Sequence, residues 1–306
     1  MFKHESVLLH EACSALVTNP NGIYVDGTFG RGGHSAQILQ MLGAKGQLIG
    51  FDKDPAAIDC AKQLELQDAR FKAIHSGFAA LTKSLEQLQI KQINGLLLDL
   101  GVSSPQLDDA SRGFSFLRDG ALDMRMNPNE GESVATWLMQ VSIEELTQVL
   151  AEYGEERYAK RIAKAIISRR ITKPFINTAD LAEVIKAAHP KWQVGKHPAT
   201  KSFQALRIKV NNELDELTQV LTQVIALLAS GGRLVVISFH SLEDRLVKQF
   251  IAKNSGYEQD IPRRLPIMPK QTQPLLTKIG KYKASADQIK FNPRARSAVM
   301  RVAQKV

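Results

Sequence analysis

Cysteine is nearly absent, with only Cys13 and Cys60 among 306 residues. They form neither a metal-ligand pair nor a disulfide framework, so a stapled extracellular scaffold is excluded and a reduced compartment is expected. No apolar run approaches the ~20 residues that a membrane helix requires. The opening Met1-Phe2-Lys3-His4-Glu5 is polar and acidic where a secretion signal is apolar. These absences lead us to expect a soluble, cytoplasmic protein with no membrane attachment. Acidic residues are scarce at one end only. From Ile261 to Val306 there are eleven Lys or Arg and one acid, Asp287, whereas the other 260 residues carry 29 basic and 30 acidic side chains. The net charge of +9 therefore lies in the tail. That placement suits contact with a polyanion, and equally suits plain solubility. At 44% hydrophobic and 23% charged residues, the chain has enough apolar mass for a sizeable core.

Through the first hundred residues, short apolar strands alternate with helical stretches. Ile23–Asp26, Gln47–Asp52, Phe71–Ile74 and Leu96–Leu100 read as strands. Helices are predicted from about His34 to Leu42, from Pro55 to Leu64, and from Ala79 to Leu88. This alternation predicts a parallel sheet covered on both faces. The next convincing strand, Arg233–Ser238, comes far later than a crossover connection requires. The intervening residues are helical in pattern. Ser142 and Glu145 are spaced as a capping box, and Thr178 is placed to cap a helix over 179–188. We therefore expect an α/β domain over 1–105 and 200–306, with an inserted helical domain over 106–199. A long helix over 201–228 would lead back to the sheet. A helix over 241–253, a loop over 262–274 and a closing strand over 298–303 complete the reading.

The first strand runs into Asp26-Gly27-Thr28-Phe29-Gly30-Arg31-Gly32-Gly33-His34. Glycines at such a turn let the backbone approach a ligand with no Cβ in the way. A dehydrogenase loop is similar, so the glycines alone do not choose between nucleotide cofactors. Two features favour S-adenosylmethionine. Asp26 sets an Asp-x-x-x-Gly-x-Gly spacing, which is common in methyltransferases, and Asp52 ends the next strand, where a carboxylate can accept both ribose hydroxyls. Asp52 also reads as a helix cap ahead of Pro55, and His34 also reads as an unliganded first-turn residue. Phe78 is placed either against adenine or in the core.

Asp99 ends an apolar central strand, where an ionised carboxylate is costly without a donor or cation beside it. Ser103-Ser104-Pro105-Gln106 follows as a polar turn, loosely like the (Asp/Ser/Asn)-Pro-Pro-aromatic turn of enzymes that methylate exocyclic amines. Asp99, Ser103 and Ser104 are the candidates for gripping such an amine; a plain surface turn is the other reading. Arg157, Lys160, Arg161 and Lys164 recur at helical spacing, and Arg294 and Arg296 lie in the basic tail. These are candidate phosphate contacts, or simply solvated cations. His240, just past the late strand, reads as a substrate contact or a helix cap. No metal-ligand pattern is present.

These segments together resemble the ribosomal small-subunit RNA (cytosine-N4)-methyltransferase family, RsmH or MraW. The resemblance runs in order through His4–Leu9, Asp26–His34, Asp99–Asp108, Arg112–Phe116, Leu122–Met126, Tyr153–Arg157, His197–Thr200, Phe203–Val210, Ser238–Arg245 and Asn292–Arg296. It implies a Rossmann-like class I S-adenosylmethionine-dependent methyltransferase fold with an inserted, mostly helical domain. It also implies methylation of the N4 amine of one cytidine in the decoding region of 16S rRNA, within the small ribosomal subunit. No metal and no obligate protein partner are implied. By position, Gly32, Gly33, His34, Asp52, Phe78, Asp99 and Gln106 match the family's cofactor contacts. A nicotinamide-dependent dehydrogenase and a non-catalytic RNA-binding assembly factor are the alternatives in other classes.

Overall fold

The computed structural model describes residues 6–191, 195, 197–256 and 273–306. His4 and Glu5, and all of the expected 262–274 loop except its last two residues, lie outside the described residues. Seven strands form one sheet: β1 (Ile23–Asp26), β2 (Gln47–Asp52), β3 (Phe71–His75), β4 (Ile93–Asp99), β5 (Leu228–Ser238), β6 (Leu276–Lys283) and β7 (Val299–Lys305). Their order is 3-2-1-4-5-7-6. The first five are parallel, while β7 runs antiparallel to β5, and β6 antiparallel to β7. This is a Rossmann-like, doubly wound α/β sheet with one reversed strand. The direction of winding reverses between β1 and β4, so their C-terminal ends flank the crevice where such sheets bind ligands.

Register places the strand-end acids along one edge. Asp26 pairs with Gly50 of β2 and Leu97 of β4, and Asp99 pairs with Ile237 of β5. Alternate residues feed two apolar layers. Val25, Leu96, Leu98 and Val236 face Leu81, Val220, Val224 and Val247. Tyr24, Leu97, Val235 and Ile237 face Ala12, Leu16, Ile38 and Leu39 on the other side. Strand β6 has no apolar signal in the sequence because it is an edge strand: of its eight residues only Leu276 is buried.

The chain divides into two compact units, 1–101 with 214–306 and 102–213. The second is helical, with Leu146, Leu150, Ile162, Ile166, Leu181, Ile185 and Leu206 in its core. Three local expectations are corrected there. Asn177, not Thr178, caps the helix Thr178–Ala188, accepting the Asp180 N–H at 3.0 Å; Thr178 is buried and serves as the first helical residue. Ser142 caps the helix Ile143–Glu152 through the Glu145 N–H, while the Glu145 side chain pairs with Lys209 at 3.0 Å. The helix expected over 201–228 is two helices, Thr200–Asn211 and Glu213–Leu227. They are broken at Asn212, whose φ of 52° lies in the left-handed region an asparagine tolerates.

Asn211 ties the helical unit together. Its Oδ1 accepts the Met126 N–H at 2.7 Å, and its Nδ2 donates to the carbonyls of Met124 and Arg207 at 2.7 and 2.9 Å. Asn211→Ala strands these groups in a buried setting and should cost about 2–4 kcal/mol. Urea unfolding measures this, and a loss below about 1 kcal/mol would show that Asn211 is dispensable.

Candidate cofactor site

Asp26 builds the glycine turn from beneath. It is 1% exposed, its Oδ1 accepts the Thr28 N–H at 3.1 Å, and its Oδ2 accepts the Ser35 hydroxyl at 2.7 Å. Thr28 Oγ1 in turn accepts the Asp99 N–H at 2.7 Å, which joins the turn to the end of β4. Gly32 has φ +76°, and a Cβ there would meet the Phe29 ring at 2.7 Å. A Cβ on Gly33 would collide with Ser6 Oγ. These two glycines are thus required by the turn's own packing. A Cβ on Gly30, whose φ is +57°, would meet only the Thr28 carbonyl, at 3.9 Å, and the Gly30 N–H donates to Asp52 Oδ2 at 2.8 Å.

Asp52 is not the helix cap. Asp54 takes that role by accepting the Ala56 N–H at 3.0 Å, while Asp52 Oδ1 accepts the Asp54 N–H at 2.9 Å. Each Asp52 oxygen has one protein hydrogen bond and a lone pair to spare. Phe78 starts a short turn after β3, with its Cβ 3.4 Å from where a Cβ on Gly27 would stand. The side chain therefore borders the glycine turn and also packs on the apolar layer below.

Among the described residues, the buried Asp99 Oδ1 has no hydrogen-bond partner, and Ser238 Oγ at the end of β5 shares that condition. Asp99 Oδ2 lies 3.7 Å from Nδ1 of His34. The other ring nitrogen of His34 is 3.2 Å from the Val7 carbonyl and therefore carries a proton. Burial pushes the Asp99 carboxyl up to about 6; His34 opposes the shift, and the charges of Asp26 and Glu243 add to it. Burial likewise raises Asp26 to about 6 and moves Asp52 upward.

Glu243, 2% exposed, is a fourth acid at this edge that sequence reasoning did not single out. It accepts the N–H groups of Phe239 and His240 at 2.8 and 3.3 Å. The signal was present as a capping box, His240-x-x-Glu243, and His240 is indeed the N-cap of the helix Ser241–Asn254. Arg294 and Arg296 flank the buried Ala295 in a turn leading into β7, whose Val299 pairs with Ser238. Both arginines are exposed at the same edge of the sheet. The remaining candidates belong to the helical unit. Ser103 and Gln106 form a reciprocal capping box on the helix Ser104–Asp108, with Gln106 Oε1 accepting the Ser103 N–H at 2.8 Å. Ser104 is buried in the first turn. Lys160 and Arg161 are exposed on the helix Ala159–Thr172, and Arg157 just precedes it. Among the described residues, no cluster of His, Cys, Asp and Glu is arranged to hold a metal ion, and no helix is long and apolar enough to cross a membrane.

A doubly wound sheet with a reversed last strand, and acids closing β1, β2 and β4 around a glycine turn, defines the class I S-adenosylmethionine-dependent methyltransferases. The model of the MraW methylase family matches residues 1–306. The chain is 56% identical over 307 aligned positions to "Ribosomal RNA small subunit methyltransferase H" of Chromohalobacter salexigens, covering 100% of this chain and 92% of that one. Among solved structures, an rRNA methylase from Streptococcus thermophilus aligns with a TM-score of 0.42 at 11% identity, covering 96% of this chain and 92% of that one. TrmN from Thermus thermophilus aligns at 0.44 and 9% identity, covering 98% and 48%. The chain belongs to the MraW methylase family.

The raised carboxyls have a pH consequence. An acid whose folded value lies above its unfolded one adds stability that is complete below the ordinary value of 3.8 and lost as pH rises through about 6. Asp99→Asn removes that loss. Without ligand, the variant should gain on wild type between about pH 4 and pH 7, by on the order of 2 kcal/mol. A difference in unfolding free energy that stays constant over that interval would contradict the buried charge.

Proposed function

We propose that this chain transfers the methyl group of S-adenosylmethionine to the N4 amine of a cytidine in the decoding region of 16S rRNA, acting in the cytoplasm on the small ribosomal subunit. The observation that carries this reading is Asp99: a buried carboxylate oxygen with no partner among the described residues, at the end of the central strand in an edge rich in acids. Such a site favours a ligand that is cationic and bears N–H donors.

The residues fit that donor. Asp52 has lone pairs for two ribose hydroxyls, Phe78 offers an apolar wall for adenine, and the backbone from Gly30 to His34 provides a close approach. His34 lies beside Asp99, where its charge opposes the rise that burial imposes on the carboxyl. In the helical unit, Gln106 is the remaining cofactor candidate, and Ser103 and Ser104 remain the candidates for holding the amine. When bound, S-adenosylmethionine would supply a methyl group on a positive sulfur; its transfer to N4 would leave a neutral thioether, and the proton lost from N4 would pass to water. The protein's contribution is alignment and fixed electrostatics rather than a strong base. Acceptors that grip the N–H bonds of an amine conjugated to its ring favour the pyramidal nitrogen that attack requires. His240, Arg294 and Arg296 stand where the sheet edge would meet an incoming polynucleotide, with the two arginines suited to phosphate.

Asp52→Ala should weaken S-adenosylmethionine binding by on the order of 100-fold in calorimetry, from the loss of two hydrogen bonds to a charged acceptor. Methyl transfer to undermethylated small subunits, followed by mass spectrometry of the nucleosides, should yield N4-methylcytidine at a single decoding-region position. Protection from thermal unfolding by NAD(H) but not by S-adenosylmethionine would overturn this reading.

A further inference from the structure

The helix Ala159–Thr172 carries Lys160, Arg161, Lys164, Arg169 and Arg170 and no acid. Two of these cations are consumed inside the helical unit. Arg169 grips both oxygens of Asp180 at 2.9 and 2.8 Å, and Arg170 donates to the carbonyls of Leu138 and Val141 at 2.6 and 2.7 Å. Arg157, just ahead of the helix, lies 5.7 Å from the Tyr158 ring centroid. Among the described residues, Lys160, Arg161 and Lys164 have no hydrogen bond or ion pair, and all three are exposed. Helix stability does not explain them. Lys160 and Arg161 occupy the first turn, where the macrodipole disfavours a cation by ~0.3–1 kcal/mol.

Arg161 and Lys164, three residues apart on one helix face, border a concavity of about 420 Å³. Its walls include Ala165 and Ser168 of the same helix, and Val184, Ala187 and Ala188 of the helix Thr178–Ala188. Lys160 does not line it. The geometry points to a binding groove for the ribose-phosphate backbone of RNA, built wholly within the helical unit. Phosphates sit on Arg161 and Lys164, a ribose lies on the methyls of the alanines and Val184, and the Ser168 hydroxyl serves as a polar partner. The concavity is open and shallow and offers no deep pocket for the aromatic or aliphatic anchors that bind a protein partner, whereas a ribose between two phosphates fits it. This inference rests on RNA being the substrate. It adds an anchoring site composed of residues other than those that hold the cofactor.

The test uses the full-length protein and a fluorescein-labelled single-stranded RNA, with anisotropy titrations at several salt concentrations. Arg161→Glu and Lys164→Glu should each lower affinity on the order of tenfold near 0.1 M salt, and each should reduce the slope of log K against log salt by about one. Lys160→Glu makes the same charge change outside the groove and should cost less than about threefold. Ala187→Trp fills the groove with no change of charge and should also weaken binding. None of these changes should alter S-adenosylmethionine affinity or Tm; if a charge reversal does lower Tm, Arg161→Gln and Lys164→Gln replace it. Equal losses for Lys160→Glu and Arg161→Glu would mean a diffuse field and overturn the groove, as would an Ala187→Trp variant that binds normally. Displacement of the RNA by polyglutamate at matched charge would assign the groove to acidic peptides instead. If wild type methylates subunits and the groove variants bind RNA as well as it does, the groove alone falls. If wild type neither binds RNA nor transfers methyl, the proposed function falls with it.

Discussion

Carboxylates gathered at one edge of a sheet repel one another, and each must be given donors or remain protonated. Four acids meet at the C-terminal edge of this sheet. Asp26 is held by Thr28 and Ser35, Asp52 by the N–H groups of Gly30 and Asp54, and Glu243 by those of Phe239 and His240. Of these four, Asp99 retains a buried oxygen with no partner among the described residues. The protein has satisfied its own structural acids and left one unmet acceptor where β4 ends. A cation with N–H groups resolves that imbalance, which is why the acid edge and a positively charged cofactor belong to one account.

The same edge explains the glycine turn more fully than ligand access does. Asp26 pins the turn through Thr28, and Thr28 pins the start of the loop after β4 through the Asp99 N–H. Side chains at Gly32 and Gly33 would strike Phe29 and Ser6, so those glycines serve the fold first. Their proximity to the cofactor site follows from the turn they allow.

Much of the sheet was legible because its strands are buried on both faces and therefore read as unbroken apolar runs. β2 falls where its composition placed it, at Gln47–Asp52, and β1 at Ile23–Asp26. Strand β6 was invisible for the opposite reason: an edge strand with both faces wet has no pattern to display. Helix boundaries failed where local choices compete. Asn177 and Thr178 are both good caps, and only the burial of Thr178 against Gly120 and Arg118 decides between them. The break at Asn212 needs a left-handed residue, and asparagine permits one without announcing it. At the site, Asp52, Asp99 and the glycines stood out as strand-end chemistry, while Glu243 hid inside a capping box.

From its sequence alone, the chain determines a parallel sheet with a long helical insertion, a glycine turn after the first strand, and acids at three strand ends. These follow from hydrophobic period and local backbone preference, which depend on near neighbours. Only the tertiary structure decided that His34 faces Asp99, that among the described residues one Asp99 oxygen is unmatched, and that there Arg169 is occupied while Arg161 is free. Such pairings join residues that the chain brings together by packing, and which polar groups packing leaves unmatched is not a local property.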